Sequence, residues 1–368
     1  MGPSTDGTSI VSPLAIRRAR APLERASTLP SGAFTSPEIY RSEASRLFAR
    51  EWLCAGRVDQ IPNRGDYFSL DLLGDKLIVV RGDDDVVRVL SRVCRHRAAE
   101  LVNDSGNTRS FQCPYHAWTY RLDGALLGTP HMDGAEGFDK RDCGLPEIRS
   151  EMWAGWVFVN FDAGAAPLAT QLARLEAALS HFPMADMVAV ETGTYDSPFN
   201  WKLLVDNFME AYHHIAIHRD TLQPSLPAAD SHTPDNDGPY SLLFMPDTAG
   251  NDPARTTAGG LTAAVVFPVH LFAPTAHSLT WYQLLPDAHD HFTLRIYTCF
   301  PQSMLDDPAH RGAIEGLQAF TRAIHEQDIE ACQATWRGLQ ARSFEQGRLS
   351  PLEKPIWQFN QWWLDRMA

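Results

Sequence analysis

Cysteine is scarce in this chain. There are six in 368 residues, Cys54, Cys94, Cys113, Cys143, Cys299 and Cys332. That density cannot staple a small secreted scaffold, and it points to a reducing, cytoplasmic compartment. Basic charge is also short: 32 Lys and Arg against 45 Asp and Glu leave a net charge of −13. A surface of that sign argues against nucleic acid as a partner, because phosphate binding needs basic side chains. No apolar run approaches the roughly 18 residues of a membrane helix, and the N-terminus lacks the apolar core of a secretory leader. Met1-Gly2 begins like a myristoylation signal, but Asp6 stands where Ser or Thr is required. There is no Gly-x-Gly-x-x-Gly strand–helix unit to carry a flavin or nicotinamide. Internal repeats and low-complexity blocks are absent as well. What is present is 44% apolar residues, ample for a packed core, over a length that favours two domains.

The chain reads as an α+β protein. Residues 1–35 are rich in Ser, Thr, Pro and Arg and read as a flexible lead-in. Ser36-Pro37-Glu38 opens a helix, with Ser36 as cap and Pro37 in the first turn. It carries Tyr40, Ala44, Leu47 and Phe48 inward and ends near Trp52. Short β-rich runs follow at 67–70, 76–80 and 86–90, punctuated by Gly74-Asp75 and Gly82-Asp83. Residues 36–160 thus read as a small antiparallel β domain with a leading helix, and 161–368 as a second domain. In the latter an amphipathic helix is expected over about 168–181. Residues 219–260, with Pro224, Pro227, Pro234, Pro239 and Pro253, read as an irregular lid or channel segment. Strand-like runs at 263–272, 279–285 and 292–300 imply an antiparallel sheet, and a long helix spans about 308–339. Phe267, Phe272, Trp281 and Tyr297 are candidates to line a pocket on that sheet, or to be plain core.

Residues 206–218 pack two acids and three histidines into thirteen positions. Trp201, Leu204, Val205 and Phe208 recur at spacings of three and four, a helical pattern. On such a helix Glu210 shares a face with His213 and His214. His213 and His218 are five apart, so both reach one metal only if the helix unwinds after His214. Two imidazoles with a carboxylate from elsewhere make the open-faced set that suits non-haem Fe(II). The alternative is a solvated helix end with His near the negative dipole.

A second constellation sits in the β domain. Cys94-Arg95-His96-Arg97 and Cys113-Pro114-Tyr115-His116-Ala117-Trp118 spell Cys-x-His-x16-Cys-x2-His. Two thiolates and two imidazoles suit tetrahedral zinc or a mixed-ligand iron–sulfur cluster. Each loop offers one Cys and one His, which fits the division of ligands in a Rieske [2Fe–2S] centre.

Together these loops resemble the Rieske signature of the ring-hydroxylating oxygenase α-subunits, the Rieske non-haem iron oxygenases. Asn200-Trp201-Lys202, then Asp206-Asn207-x2-Glu210-x-Tyr212-His213-x4-His218, resembles that family's mononuclear iron motif. The similarity runs from about Trp52 to the C-terminus. It implies a Rieske domain followed by a helix-grip catalytic domain. Cys94, His96, Cys113 and His116 would hold a [2Fe–2S] cluster; His213, His218 and Asp328 would hold Fe(II). Asp328 is singled out from Glu326 and Glu330 because the family carries an Asp ten residues before a Gly, here Gly338. Ile324, Ala331, Thr335 and Leu339 would share its buried side. Asn207 and Glu210 fall within the iron motif and are expected to act in the catalytic site. By resemblance the oxygenase is a head-to-tail homotrimer, in which Glu210 bridges the partner subunit's His116 to His213.

Three departures stand out. Ala98 and Ala117 occupy positions where Gly is common, so small backbone changes are expected there. Glu210 replaces the Asp of many ring dioxygenases and is familiar in members that hydroxylate or demethylate amines. His214 is an extra histidine, expected to line the pocket or support its neighbours. The resemblance implies a terminal oxygenase that takes O2 and electrons from a separate NAD(P)H-dependent reductase, with or without a ferredoxin. It would hydroxylate or oxidatively demethylate a small aromatic or amine substrate. The alternatives are cis-dihydroxylation of arenes and, from other classes, a non-catalytic Rieske electron carrier or a zinc-bound structural protein.

Overall fold

In this computed structural model residues 12–247 and 260–367 are described. They form two compact units, one of residues 52–165 and one of residues 12–51 with 166–367.

The first unit is built from ten strands: β1 (Leu53–Arg57), β2 (Asp66–Leu72), β3 (Asp75–Arg81), β4 (Val87–Ser91), β5 (Ser105–Asn107), β6 (Phe111–Gln112), β7 (Thr119–Tyr120), β8 (Leu126–Gly128), β9 (Glu147–Trp153) and β10 (Trp156–Asn160). Seven make one antiparallel sheet in the order β1-β10-β9-β4-β3-β2-β5, and β6-β7-β8 make a second. The Gly74 punctuation is a two-residue hairpin. Leu73 and Gly74 both take positive φ (55° and 89°) between the paired Leu72 and Asp75, the backbone that matches the twist of flanking strands. Ile78 and Val80 of β3 join Leu90, Phe111, Trp118 and Tyr120 in a buried core beneath the cysteine–histidine loops.

The second unit carries a six-stranded antiparallel sheet: β11 (Met187–Ser197), β12 (Tyr240–Pro246), β13 (Gly260–Val266), β14 (His270–Pro274), β15 (Leu279–Ala288) and β16 (His291–Pro301), ordered β11-β16-β15-β14-β13-β12. Its longer helices are α1 (Pro13–Ala19), α2 (Pro37–Glu43), α3 (Leu168–Leu179), α4 (Trp201–Phe208), α5 (Arg311–Leu339) and α6 (Lys354–Met367). The expected run 263–272 is two strands parted by a turn. Within 219–260, taken as irregular, residues 240–246 are a strand; residues 248–259 lie outside the described part.

The lead-in also differs from expectation. From residue 12 onward it is ordered against α6 and the segment before it. Trp357 and Gln361 donate to the carbonyls of Ala21 and Ala19, and Arg348 donates to those of Ala26 and Glu24. Its Ser, Pro and Arg content looks loose because the contacts run through backbone carbonyls, which composition does not reveal. The leading helix α2 likewise belongs with the second unit, so the β unit begins at Trp52 and not at residue 36. Ser36 caps α2 as expected, accepting from the amides of Glu38 and Ile39.

Glu43, the last residue of α2, explains why. Its carboxylate is fully buried and accepts from Lys202 Nζ at 2.6 Å, Trp363 Nε1 at 2.7 Å and Trp201 Nε1 at 3.2 Å. Lys202 is also fully buried, and the rings of Phe34, Trp201 and Trp363 surround its ammonium. Burial pushes the Lys202 pKa down, against the opposing pull of Glu43. Removing one partner of such a pair leaves the other charge uncompensated, so Glu43→Ala is expected to destabilise the second unit by about 3–5 kcal/mol. Urea unfolding followed by tryptophan fluorescence would show it; a loss below about 1 kcal/mol would mean that the pair does not anchor α4.

Candidate metal centres and cavity

Helix α4 starts cleanly. Asn200 caps it, accepting from the Lys202 amide at 3.1 Å, while its amide donates to the carbonyls of Phe34 and His289. The Asn200-Trp201-Lys202 sequence is therefore an anchor for the helix that leads to the histidines. The helix ends at Phe208, where the Met209 amide bonds back to Val205 and Asp206 carbonyls. The expectation that Glu210 rides on this helix is thus corrected: unwinding precedes Glu210 instead of following His214. A short 3-10 turn, Tyr212–Ile215, comes next.

That turn still brings Glu210 onto His213. Glu210 Oε1 lies 2.7 Å from His213 Nδ1, and Oε2 accepts from the His213 amide at 3.0 Å. Both oxygens are engaged within the turn, where one was expected to face outward; each carboxylate oxygen still has a second lone pair. Burial disfavours the charged His213 ring, but the bond to Glu210 and the charges of Glu210 and Asp328 outweigh it and raise the pKa.

Asp328 is on α5 and is buried, whereas Glu326 and Glu330 beside it are exposed. Asp328 Oδ1 is 2.9 Å from His218 Nε2 and 3.6 Å from His213 Nε2, and it accepts from Asn207 Nδ2 at 3.2 Å. The ligating atoms of His213, His218 and Asp328 all lie within 4.8 Å of one another. Leu339 shares the buried side of α5 as expected and Ile324 and Ala331 are half-buried, but Thr335 is exposed; Thr321, His325 and Cys332 are the other buried positions.

The donor set fits a cation. His218 Nδ1 faces the Gln327 carboxamide oxygen at 2.7 Å while Nε2 faces Asp328. His213 also points both nitrogens at carboxylate oxygens. A neutral imidazole has one N–H and cannot serve two acceptors. A metal ion between the Nε2 atoms and Asp328 satisfies all three side chains, and the set has the composition of a two-histidine, one-carboxylate face.

A cavity of about 200 Å³ opens beside this set. Asn207, Glu210 and His214 join the three metal-ligating candidates on its wall, with Phe208, Tyr282 and Phe320 as its aromatic members and Leu and Ile side chains between them. His214 turns its Nδ1 to the Leu226 carbonyl at 3.0 Å and stays out of the close set. Burial holds its pKa down at about 4, so it is a neutral wall residue at ordinary pH. Phe267, Phe272, Trp281 and Tyr297 do not line the cavity. Successive strand residues face opposite sides: Thr280 and Tyr282 face the cavity, so Trp281 between them faces away, stacked on Tyr297 with ring centroids 4.7 Å apart. Phe267 packs on Phe359 and Trp362 of α6.

In the first unit the two cysteine–histidine loops are near copies. Cys94 and Cys113 each accept at their carbonyl from the amide four residues on, Ala98 and Ala117, at 3.0 Å. Both alanines take positive φ, 58° and 56°. The glycine-type backbone is therefore kept without glycine, at a cost of about 1–2 kcal/mol per residue. His96 stacks on Trp118 and meets His116 edge-on at 4.7 Å. The Nδ1 atoms of His96 and His116 are buried with no hydrogen-bond partner, a state that ligation would relieve. The Tyr120 hydroxyl lies 3.2 Å from Cys94 Sγ and accepts from the Arg95 amide at 2.9 Å.

Residues 51–141 match the Rieske [2Fe–2S] domain, and residues 184–368 match the catalytic domain of the ring hydroxylating alpha subunit. The chain belongs to the ring-hydroxylating α-subunit family. The match to a Rieske [2Fe–2S] domain favours an iron–sulfur cluster over zinc, and the match to the catalytic domain speaks against a plain electron carrier. Among relatives, the carnitine monooxygenase oxygenase subunit of Acinetobacter pittii is 35% identical over 191 residues, 50% of this chain and 51% of the relative. The chain thus spans about half the length of the carnitine-type relatives it matches. The chloroplastic choline monooxygenase of Spinacia oleracea is 26% identical over 93% of this chain and 78% of its own. A solved quaternary ammonium Rieske monooxygenase, described with carnitine oxidation and inter-subunit electron transfer, superposes with TM-score 0.83 at 25% identity, covering 93% of this chain and 96% of that one.

Two polar residues of this α-subunit escaped sequence reasoning, Tyr120 and Gln327. Gln327 carried only the weak signal of adjoining Asp328, and Tyr120 carried none. Hydrogen bonds to cluster sulfur raise the reduction potential, so Tyr120→Phe is expected to lower it while both irons stay bound. Redox titration followed by the reduced-cluster EPR signal tests this; an unchanged midpoint would remove Tyr120 from the cluster's surroundings.

Proposed function

We propose that this chain is a terminal oxygenase that hydroxylates or oxidatively demethylates a small amine, with quaternary ammonium compounds as the leading class. One observation carries the reading: His213, His218 and Asp328 converge within 4.8 Å on the wall of a largely apolar cavity, in a chain that also has a Rieske domain. Cys94, His96, Cys113 and His116 would hold the cluster, and His213, His218 and Asp328 the Fe(II). When bound, these groups supply electrons and activate O2 beside the substrate. The chain's own residues do the rest. Glu210 keeps a proton on His213 Nδ1, which leaves the other nitrogen free to ligate. Asn207 donates to the same Asp328 oxygen that faces the two rings. The aliphatic wall keeps water from the reacting carbon, and the rings of Phe208, Tyr282 and Phe320 offer faces to a cationic methylammonium group. The carnitine and choline monooxygenase relatives, together with Glu210 in place of Asp, support an amine over an arene.

Electrons would come from a separate NAD(P)H-dependent reductase, with or without a ferredoxin. The assembly would be a homotrimer in which Glu210 links His213 to the partner subunit's His116; the inter-subunit electron transfer described for the structural neighbour supports this arrangement. Cys54, Cys94, Cys113, Cys143 and Cys332 form no disulfide, in keeping with a cytoplasmic home, and no described helix is long and apolar enough to cross a membrane. The test is a panel of quaternary ammonium compounds, N-methyl amines and arenes with the loaded protein and a reductase. O2 uptake, NAD(P)H oxidation and product mass are read together. Coupled turnover giving an aldehyde or alcohol from an amine is expected. A cis-diol from an arene, with no turnover of amines, would overturn the proposal.

A further inference from the structure

Three side chains converge on the proposed iron, and each has a second partner. Glu210 holds His213, Asn207 holds Asp328, and Gln327 holds His218. The third contact is the least expected. Gln327 and Asp328 are neighbours on α5, yet they take the same imidazole from its two ends. Asp328 Oδ1 stands 2.9 Å from Nε2, and Gln327 Oε1 stands 2.7 Å from Nδ1. The Thr221 hydroxyl approaches the same Gln327 oxygen at 3.4 Å, so that oxygen is held as an acceptor of two donors. An acceptor there demands that Nδ1 carry the proton, which leaves the Nε2 lone pair pointing at Asp328 and the metal position. His218 is itself 1% exposed, so its ring has almost no contact with bulk water.

We infer that Gln327 is a positioning residue that locks His218 in its Nε2-ligating tautomer; this rests on the iron reading of His213, His218 and Asp328. The two imidazoles are thereby made unequal. His213 leans on a carboxylate, which makes its ligating nitrogen the more electron-rich; His218 leans on a neutral carboxamide. A side chain at 327 that cannot accept would leave the buried Nδ1–H unpaired, or let the proton move to Nε2, where it blocks ligation.

The experiment uses full-length protein with its cluster intact, and Fe(II) itself as the probe. Wild type, Gln327→Leu, Gln327→Glu and His218→Ala are titrated with Fe(II) against a chelator, with thermal unfolding followed by tryptophan fluorescence as the control for folding of the second unit. Gln327→Leu is expected to weaken Fe(II) binding by about 10–100-fold, the usual effect of losing such a partner. Gln327→Glu, which can still accept the Nδ1 proton, should restore binding to within a few-fold of wild type. The inference is overturned if Gln327→Leu binds like wild type, or if both variants weaken alike, since the role would then be packing and not acceptance. Should Gln327→Leu fail that folding control, Gln327→Glu is compared with Gln327→Met on the same readout. If His218→Ala itself binds Fe(II) as wild type does, the iron reading fails, a result distinct from the failure of Gln327 alone.

Discussion

Asp328→Ala is expected to abolish turnover by emptying the mononuclear site, while the Rieske centre stays intact. Among the described residues, Asp328 is the one carboxylate that comes within reach of both Nε2 atoms. It is buried on α5 with Glu326 and Glu330 turned outward, so neither neighbour can substitute for it. Without it two imidazoles remain, which is too few to hold Fe(II) against water. Iron analysis should show the loss of roughly one iron in three, given two in the cluster and one in the facial set. The reduced-state EPR spectrum should be unchanged, because the four cluster residues belong to a different unit. Full activity in Asp328→Ala, with Glu326→Ala inactive instead, would move the ligand one half-turn along the helix.

The second large effect is at Glu210. A carboxylate accepts at both oxygens, and both are used: one by His213 Nδ1, the other by the His213 amide. A carboxamide has one acceptor and one donor end. In Glu210→Gln either the ring or the backbone N–H must face an NH2 group, and the charge that supports His213 is lost. Activity is expected to fall by about 10–100-fold. Single-turnover stopped-flow on the pre-reduced protein separates the causes. If Glu210 also links subunits, reoxidation of the Rieske centre should slow strongly even in samples whose mononuclear iron is at full occupancy. Reoxidation at the wild-type rate with wild-type product yield would leave Glu210 as a support for His213 alone.

The ligand candidates were legible because their spacing is dictated by chemistry. Cys-x-His and Cys-x2-His occur on tight turns whose form is set by a bond from residue i+4 to the cysteine carbonyl, and that form survives even with Ala98 and Ala117 in place of glycine. Asp328 was legible only through its distance to Gly338, since nothing local separates it from Glu326. Phe267, Phe272, Trp281 and Tyr297 stayed open between pocket and core because strand alternation is a matter of phase, and the structure puts them in the core. Aromatic content alone does not say which of Trp281 or Tyr282 faces in, and both sides of this sheet are covered. The end of α4 was missed because Phe208 and Glu210 continue a helical pattern that the tertiary demand on His213 overrides. Gln327 was nearly invisible for a simpler reason. A glutamine on a helix is ordinarily a solvent-facing residue, and only the return of the chain through His218 gives it a partner.

The discontinuity of the second unit carries a consequence for how the molecule is made. Residues 52–165 are continuous in sequence and emerge whole from the ribosome, whereas the unit with α4 and α5 needs residues 12–51 from the start of the chain and α6 from its end. Domains fold as units, early ones during synthesis. The nascent chain therefore completes the cradle for the iron–sulfur cluster while Glu43 still waits for Lys202 and Trp363. The cluster cradle can thus close before Asp328 and α6 have been made, and the single-iron face is the later of the two to form.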